Sequence, residues 1–311
     1  MAFIMDPIGA IDIDKDTTFV LMLEAQERGH EVWYLLLKDM FLEGDKPYGV
    51  ATGAKLQRAP QHYSLSNTLT LPLDGFDVVW MRKDPPFDMD YIYATYILSH
   101  INESSSFVIN NPRGIRESNE KLYTLNFPDL MPPTLVSKDI DRIKGFLAEV
   151  GGEMVVKPLD SCGGEGVFYL SSGDKNVNVI LEGVTHGGEV FVMAQKFIKE
   201  VSEGDKRILL LNGDPIGAVL RMSRPDDFRC NFHSGGHPAV TEITERDKYI
   251  CDRLAAKLRE DGLYFVGIDV IGGYITEINT TSPTGVQEIN RFHGVKLESL
   301  ILDFVEQRCG G

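Results

Sequence analysis

Three oxygen-bearing side chains near the end of the chain have the spacing of a metal site. The segment Asp269-Val-Ile-Gly-Gly-Tyr-Ile-Thr-Glu277-Ile-Asn279 is typical of a β-hairpin that turns at Gly272-Gly273. Residues two apart on a strand share a face, so Glu277 and Asn279 point the same way. Oxygen ligands without His or Cys suit a hard cation such as Mg²⁺, which commonly shares its coordination with substrate phosphates. The segment therefore indicates nucleotide chemistry, and a surface hairpin with solvated acids is the alternative.

The register of this hairpin decides whether the three side chains can meet. A plain two-residue turn places Asp269 opposite Thr276, and Glu277 then faces the other side of the sheet. The ligands converge only if the loop has three residues or if a β-bulge adds one. We therefore predict an odd-numbered or bulged turn at Gly272-Gly273.

A glycine-rich turn is a candidate phosphate-binding element. Lys157 ends a predicted strand, and the run Asp160-Ser-Cys-Gly163-Gly164-Glu-Gly166 follows it closely. Glycines let the backbone approach an anion, and successive N–H groups can form an anion-binding nest. The order of residues matches neither a P-loop nor a GxGxxG fingerprint. An ordinary hairpin turn is the alternative.

Two further basic residues extend this hypothesis. Lys121 lies in Asn119-Glu-Lys121 at a predicted helix start, and Arg207 ends the run Gly204-Asp-Lys-Arg207 at the start of a strand. The arginine is placed to reach a transferring phosphoryl group. A solvated lysine and a polar turn are the plainer interpretations of each when taken alone. Cys162 is interpreted as a small residue of the glycine turn rather than as a nucleophile.

Composition limits the class of protein. The 311 residues carry a formal net charge of −15, and no dense Lys/Arg cluster indicates nucleic-acid binding. No run approaches the roughly 20 apolar residues of a membrane span, and the first residues lack the features of a signal peptide. The four cysteines form no CxxC pair, so we interpret them as reduced thiols of a cytoplasmic protein.

The elements that must position these residues change in type along the chain. Strands predicted at 3–5, 31–37, 76–81 and 107–110 alternate with helices at 17–28 and 91–101, which indicates a parallel α/β sheet. After Pro132-Pro133 the pattern predicts helices at 140–150, 244–261 and 297–307 and strands at 153–157, 167–170, 189–198, 207–211 and 215–222. Residues 223–238 are predicted to form a loop of functional length.

Several segments match, in order, the motifs of a known family. They include Met5-Asp-Pro-Ile, Lys15-Asp-Thr-Thr, Arg82-Lys-Asp-Pro-Pro-Phe-Asp88, Asn119-Glu-Lys-Leu, Lys157-Pro-Leu-Asp, Gly204-Asp-Lys-Arg207, Phe265-Val-Gly-Ile-Asp269, Thr276-Glu-Ile-Asn279 and Thr281-Ser-Pro-Thr284. Together they resemble the ATP-grasp superfamily and, more closely, the prokaryotic glutathione synthetase family. The likeness spans nearly the whole chain, and the Met-Asp-Pro and Arg-Lys-Asp-Pro-Pro-Phe-Asp segments are its most specific parts.

The resemblance implies an α/β protein with the ATP-grasp fold. Its expected parts are an N-terminal parallel α/β domain at 1–120, a central lid domain at 121–199 and a C-terminal antiparallel-sheet domain at 200–311. The implied reaction joins γ-glutamylcysteine and glycine into glutathione with ATP, through an acyl phosphate. Another ATP-grasp carboxylate–amine ligase, such as a glutamate or other γ-glutamyl ligase, is the alternative. A module that only senses ATP is expected to lack Arg207 or the metal ligands, and all are present.

The resemblance also implies roles for individual residues. The implied nucleotide-binding residues are Lys121, Lys157, Asp160, Gly163, Gly164, Gly166, Gln195, Lys196, Phe197, Ile198 and Asp205. The implied ligands of two Mg²⁺ ions, or of Mn²⁺, are Asp269, Glu277 and Asn279. The implied catalytic residues are Arg207, Arg229 and Asn231, and the implied peptide contacts are Lys15, Arg82, Ser282 and Thr284. A cytoplasmic homo-oligomer, as a tetramer, is also implied.

One loop departs from the pattern of the family. It reads Arg229-Cys-Asn231-Phe-His233-Ser-Gly-Gly236, with bulkier residues than the Gly/Ala-rich version that relatives often carry. The basic residue and the Asn keep their places, but the closure of the loop is open to question. His233 is either a proton relay, which its titration range suits, or an ordinary loop histidine.

Overall fold

The computed structural model describes residues 1–224, 226–231 and 235–309, and three β-sheets organise them. The strands of the first sheet are β1 (Ala2–Ile4), β2 (Trp33–Leu35), β3 (Met40–Glu43), β4 (Lys46–Leu56), β5 (Tyr63–Pro72), β6 (Val78–Met81) and β7 (Phe107–Ile109). The helices of this region are α1 (Thr17–Glu27), α2 (Met89–Leu98) and α3 (Pro112–Glu117).

The first sheet is mixed. β2, β1, β6 and β7 pair in parallel, which confirms the prediction from alternating strands and helices. The strands β3, β4 and β5 add an antiparallel part that the sequence analysis did not predict. Gly49 and Gly53 interrupt β4, and Ser and Thr dominate β5, so apolar periodicity was weak there. The strand predicted at 31–37 is shorter than expected, because a 3₁₀ turn begins at Leu37.

The second and third sheets are antiparallel. The second contains β8 (Thr134–Ser137), β9 (Glu153–Pro158), β10 (Phe168–Ser171) and β11 (Val192–Lys196), with α4 (Ile140–Glu149) and α5 (Val177–Val184) beside it. The third contains β12 (Asp205–Leu211), β13 (Asp214–Met222), β14 (His237–Ala239), β15 (Phe265–Ile271) and β16 (Tyr274–Asn279). The helices that follow in this part are α6 (Glu245–Glu260), α7 (Val286–His293) and α8 (Leu297–Cys309). The strand β14 begins inside residues 223–238, the segment that was predicted to be a loop.

Short 3₁₀ turns and side-chain caps complete the elements. The 3₁₀ turns are Ile8–Ala10, Leu37–Asp39, Leu73–Gly75, Leu122–Asn126 and Lys199–Glu203. Asp16, Asp88 and Asp139 each accept a backbone N–H in the first turn of a helix, and Thr244 forms a capping box with Asp247. Such caps satisfy amide groups that have no partner within the helix, which fixes where each helix begins.

The first and third sheets share their hydrophobic cores. One core joins residues such as Ile4 and Leu35 to Ile208, Leu254 and Ile268. A second core joins residues such as Phe3, Phe19 and Trp80 to Leu302 and Val305 of α8. The second sheet has a core of its own, which includes Ile143, Leu147 and Leu181. In the described ranges, no helix combines the length and apolarity needed to cross a bilayer.

Candidate active site

The hairpin that carries the predicted metal ligands has the register that convergence requires. The glycines of its turn, Gly272 and Gly273, both have positive φ angles, of 56° and 77°. The ladder shifts by one residue just after Asp269, which therefore lies directly opposite Glu277. Ile271 pairs with Tyr274 across the two glycines, and Thr276 is the extra residue of a bulge in β16. The predicted bulge in this hairpin is therefore confirmed.

The three predicted ligands come together on one face of this hairpin. Asn279 Nδ2 lies 3.4 Å from Asp269 Oδ2 and donates a hydrogen bond to Gly267 O at 3.2 Å. Asp269 is 1% exposed, and Glu277 and Asn279 are half-buried. Within the described ranges, no group of three or more His, Cys, Asp or Glu side chains is suited to a metal. The Asn279 amide is the third oxygen-bearing side chain beside the two carboxylates on this face.

Two arginines hold the Asp269 carboxylate. Arg207 approaches it with Nε at 2.5 Å and Nη2 at 3.0 Å, and Arg221 Nη2 lies at 2.8 Å. Burial by itself raises the pKa of Asp269, but the two guanidinium groups outweigh burial and hold the pKa below its ordinary value. The carboxylate is therefore ionised across the physiological range, as a cation ligand must be.

Asp205 forms the outer part of the same cluster. Its Oδ2 accepts a hydrogen bond from Arg221 at 2.5 Å. Burial raises the pKa of Asp205 to about 6, and Arg221 opposes that rise. Its Oδ1 is buried and has no hydrogen-bond partner among the residues described, so this oxygen is available to a ligand hydroxyl.

Two lysines approach the carboxylates from other parts of the chain. Lys121 Nζ lies 3.1 Å from Glu277 Oε1 and also donates to the Ser161 carbonyl. Lys157 Nζ donates to Gln195 Oε1 at 2.7 Å. Burial lowers the pKa of Lys157 to about 8, although Glu277 opposes that shift. Because its hydrogen-bond partner is a neutral amide, Lys157 is placed to gain from a bound anion.

Lys121, Lys157, Asp205, Asp269 and Glu277 line a cleft between the second and third sheets. Val155, Phe197, Ile198, Phe228 and Ile271 contribute to its apolar lining. Lysines, an arginine and carboxylates contribute the polar lining. An apolar surface beside converging charges suits a heterocycle that carries phosphates. The predicted site residues that line this cleft are Lys121, Lys157, Gly164, Gln195, Lys196, Phe197, Ile198, Asp205, Arg229, Asn231, Asp269 and Glu277.

The glycine turn meets the loop that follows β13. Gly163, Gly164 and Gly166 have positive φ angles of 64°, 82° and 68°, which explains why glycine occupies these positions. Arg229 Nη1 donates to Gly164 O at 3.1 Å, so the two segments touch at the cleft. Asp160 at the start of the turn is exposed.

Two further residues drew interest from the sequence. Cys162 is an exposed residue of the glycine turn. Partial desolvation of its thiol raises the pKa, which agrees with a turn residue rather than a nucleophile. His233 lies outside the described residues.

The predicted peptide contacts divide into two groups. Arg82 is buried, donates to Thr18 Oγ1 at 3.1 Å and to Pro283 O at 3.0 Å, and keeps a buried Nη1 without a partner in the part of the chain described. Ser282 Oγ donates to Arg82 O, and Arg207 Nη1 donates to Thr284 O, both at 3.3 Å.

Lys15 stands apart from this group. It is an exposed residue that pairs with Asp12 at 3.1 Å. The loop 281–284 therefore connects Arg82 to the carboxylate cluster, and Lys15 is not part of that connection.

Arg221 is the main residue of the site that sequence reasoning missed. It lies in an apolar strand, is 3% exposed and stands directly opposite Asp205. Its pKa is raised, because Asp205 and Asp269 outweigh the effect of burial. A signal was present, since Asn212-Gly213 is a typical two-residue hairpin turn that brings these strands together.

Comparison with known proteins gives the same assignment along the whole chain. Residues 1–116 match the model of the prokaryotic glutathione synthetase N-terminal domain, and residues 120–294 match that of the prokaryotic glutathione synthetase ATP-grasp domain. The glutathione synthetase of Thermosynechococcus vestitus is 45% identical over 312 residues, covering 97% of this chain and 98% of that protein. The glutathione synthetase of Coxiella burnetii is 44% identical over 307 residues, covering 98% and 95%.

Solved structures share the fold at low sequence identity. The D-cycloserine synthetase DcsG superposes with a TM-score of 0.70 at 15% identity, covering 99% of each chain. The ATP-grasp ligase PsnB, complexed with minimal precursor, Mg and ADP, superposes with a TM-score of 0.64 at 15% identity, covering 100% of this chain and 98% of that one. The resemblance drawn from the sequence motifs is confirmed, and the chain belongs to the prokaryotic glutathione synthetase family of ATP-grasp ligases.

Proposed function

We propose that the cleft between the second and third sheets joins γ-glutamylcysteine to glycine at the expense of ATP, with two divalent cations, Mg²⁺ or Mn²⁺. The observation that carries the proposal is the convergence of Lys121, Lys157, Arg207 and Arg221 on the Asp269–Glu277 pair. Asp205 also belongs to this cluster and pairs with Arg221, so four cations face three carboxylates. Lys157 bonds to the neutral amide of Gln195 and is the positive charge left for a nucleotide phosphate. Such a balance suits phosphoryl transfer, which depends on positioning and charge cancellation.

The chemistry proceeds in two balanced steps. A carboxylate oxygen of the dipeptide attacks the γ-phosphorus of ATP, the bond to the β-phosphate oxygen breaks, and ADP leaves. The amine nitrogen of glycine then attacks the carbonyl carbon of the acyl phosphate, inorganic phosphate leaves, and the nitrogen loses a proton. The acyl phosphate must be protected from water, which the glycine turn and the Arg229 loop accomplish by closing together.

Asp269, Glu277 and Asn279 would hold the metal ions. Their oxygens suit a hard cation, and the hairpin register places all three side chains on one face. The Asn279 amide nitrogen donates to Gly267 O and Asp269 Oδ2. With a metal bound, the amide would turn so that its oxygen faces the ion. Bound divalent cations neutralise phosphate oxygens and so favour attack at the γ-phosphorus.

The nucleotide would lie along the cleft with its base among the apolar residues. Gln195, Lys196, Phe197 and Ile198 would border the adenine, and the free Oδ1 of Asp205 would accept a ribose hydroxyl. The phosphates would lie against the two lysines and the glycine turn.

The dipeptide would approach from the first sheet. Arg82, with an unpartnered buried nitrogen, would bind a carboxylate of the dipeptide, beside Ser282 and Thr284. Lys15 would have to reach it from the exposed loop before α1. Arg207, Arg229 and Asn231 would face the reacting groups. A cytoplasmic homotetramer remains our expectation for the assembled enzyme, and the free thiols of all four cysteines suit a reducing compartment.

The purified chain tests this proposal with ATP, Mg²⁺, γ-glutamylcysteine and glycine. We expect ADP release that depends on both amino-acid substrates, and a Glu277→Gln variant that loses turnover by at least about a hundredfold, because a charged ligand is removed. Glu245→Gln is the control, because Glu245 is exposed at the start of α6, pairs with Lys248 and does not line the cleft.

Two results would contradict the proposal. Glycine-independent ADP release, or faster turnover with another amine, would show that the substrate assignment is wrong. Equal loss of turnover and thermal stability in Glu277→Gln would assign that residue to folding rather than to the reaction.

A further inference from the structure

Glu120 lies immediately before Lys121 and makes an unusual set of contacts. Its Oε1 accepts three hydrogen bonds, from Thr280 N at 3.0 Å, Thr281 N at 3.2 Å and Thr281 Oγ1 at 2.8 Å. All three donors belong to the two residues that follow the metal-site strand β16. One carboxylate oxygen therefore fixes the direction in which the chain leaves that strand.

The backbone around Glu120 reinforces this attachment. Glu120 O accepts a hydrogen bond from Ile278 N at 2.9 Å, and Ser118 O accepts one from Thr280 Oγ1 at 3.3 Å. β16 is an edge strand of the third sheet, so residues 118–121 lie along its outer side. Lys121, the next residue, reaches Glu277 on the same strand.

The segment that Glu120 holds carries the substrate contacts described above. Residues 282–284 meet Arg82 through Pro283 O and Ser282 Oγ, and they meet Arg207 through Thr284 O. Glu120 fixes one end of this segment, and the two arginines fix the other. A shift at residues 280–281 would therefore move every backbone and side-chain group that faces Arg82.

Glu120 is half-buried, and a carboxylate away from water is costly unless it is hydrogen-bonded. Its side-chain oxygen satisfies two backbone amides and one hydroxyl in a buried loop, where unsatisfied donors would be costly. The nucleotide lysine and this carboxylate are also consecutive in sequence, so neither can move far without the other.

We propose that Glu120 is a positioning residue for the dipeptide site, which holds the loop 280–284 in its substrate-binding conformation. The proposal rests on the proposed function for its kinetic test. Glu120 acts through this loop and does not itself touch the reacting atoms. Its effect should therefore appear in the KM for the dipeptide far more than in the KM for ATP.

Two substitutions separate geometry from charge. In Glu120→Ala we expect the KM for γ-glutamylcysteine to rise by at least about tenfold, while the KM for ATP changes by less than about threefold. In Glu120→Gln the side-chain amide oxygen accepts the same three bonds, so the KM for the dipeptide should return to within about threefold of the wild type. Glu117→Ala is the control, because Glu117 is an exposed residue of the same region that pairs with Arg113.

Hydrogen exchange provides a readout that does not depend on turnover. Amides 280 and 281 should exchange faster in Glu120→Ala and at the wild-type rate in Glu120→Gln. Unchanged exchange in the Ala variant would overturn the inference. An equal rise of all three substrate KM values with a lower Tm, or a Gln variant as impaired as the Ala variant, would overturn it too. A wild-type protein without turnover would instead contradict the proposed function, and the exchange result would still decide the role of Glu120.

Discussion

At the scale of single residues, the site is a balanced set of buried charges. Asp205, Asp269 and Glu277 are matched by Arg207, Arg221 and Lys121 in direct ion pairs. Buried ion pairs contribute little net stability, but removal of one partner leaves a costly charge behind. The pairs therefore hold the carboxylates and guanidinium groups in place.

Lys157 gives the site a pH dependence whose sign follows from its burial. Its folded pKa of about 8 lies below the roughly 10.4 of an unfolded lysine, so between these values the unfolded chain binds more protons and stability rises with pH. Nucleotide binding at the proposed site needs the charged form of Lys157, so its affinity should fall as pH rises. We expect the Kd of ADP to weaken above pH 8, by at most about tenfold per pH unit, when measured by calorimetry.

Replacement of the lysine provides the control for this pH profile. Lys157→Gln should bind ADP weakly, and its Kd should change little between roughly pH 7.5 and 9.5. The wild-type lysine, with a pKa of about 8, loses its charge over this range. Lys175→Gln, which alters an exposed lysine, should keep the wild-type profile. A wild-type Kd that stays constant across this range would show that Lys157 does not govern binding.

The sequence predicted part of this arrangement for identifiable reasons. Strand periodicity placed Glu277 and Asn279 on one face. Convergence with Asp269 required an extra residue in the hairpin, and this requirement led to the prediction of a bulge. Arg221 was not predicted, because an arginine inside an apolar strand matches no motif and acquires its partners only when β12 and β13 pair. Glu120 was quoted only as a neighbour of Lys121, since its partners lie 160 residues away along the chain.

At the scale of elements, the proposed closing of the cleft involves two loops, and Arg229 Nη1 of one donates a hydrogen bond to Gly164 O of the other. The glycine turn lies between β9 and β10, and the Arg229 loop follows β13 of the third sheet. Arg229 also forms an ion pair with Asp227 at 2.7 Å, which stiffens its own loop. Within the described residues, the second and third sheets are thus linked at one end of the cleft by the glycine turn and the Arg229 loop.

Substitution of Arg229 tests this link. Arg229→Ala should lower kcat by roughly a hundredfold, a typical cost of removing one charged donor from a reaction site. It should also speed cleavage by chymotrypsin after Phe228 in the ADP-bound protein, because the loop loses its attachment to Gly164.

A matched variant separates this effect from a general change of charge. Arg142→Ala removes an exposed arginine of α4 and should leave both measurements unchanged. If Arg229→Ala kept the wild-type kcat and cleavage rate, the contact with Gly164 would have no role in closure.

At the scale of the whole molecule, the second sheet is the separable part. Its core contains only residues between Leu135 and Ala194, whereas the other two cores mix residues from both ends of the chain. The first and third sheets should therefore unfold as one unit, and the second sheet should move or open by itself. The family resemblance implied a central domain at 121–199, but residue periodicity alone could not supply this division, because it marks a buried face without naming its partner.

Two core substitutions distinguish the units. Leu181→Ala and Leu302→Ala each remove a fully buried leucine, and each should cost about 2–5 kcal/mol within its unit. Hydrogen exchange should increase only within residues 134–196 for Leu181→Ala. For Leu302→Ala it should increase in both β1 and β15, and an increase confined to α8 would contradict the shared core.

The position of α8 has a consequence for how the protein is made. Leu302 and Val305 share one core with Phe3 of β1 and Phe19 of α1, so β1 and α1 are covered by a helix that is synthesised after the strands of the three sheets. The nascent N-terminal part must wait with an apolar face exposed while the central residues are synthesised, and these can fold first around their own core. The order of folding should therefore run from the middle of the chain outward, with the first sheet completed only after synthesis of residue 309.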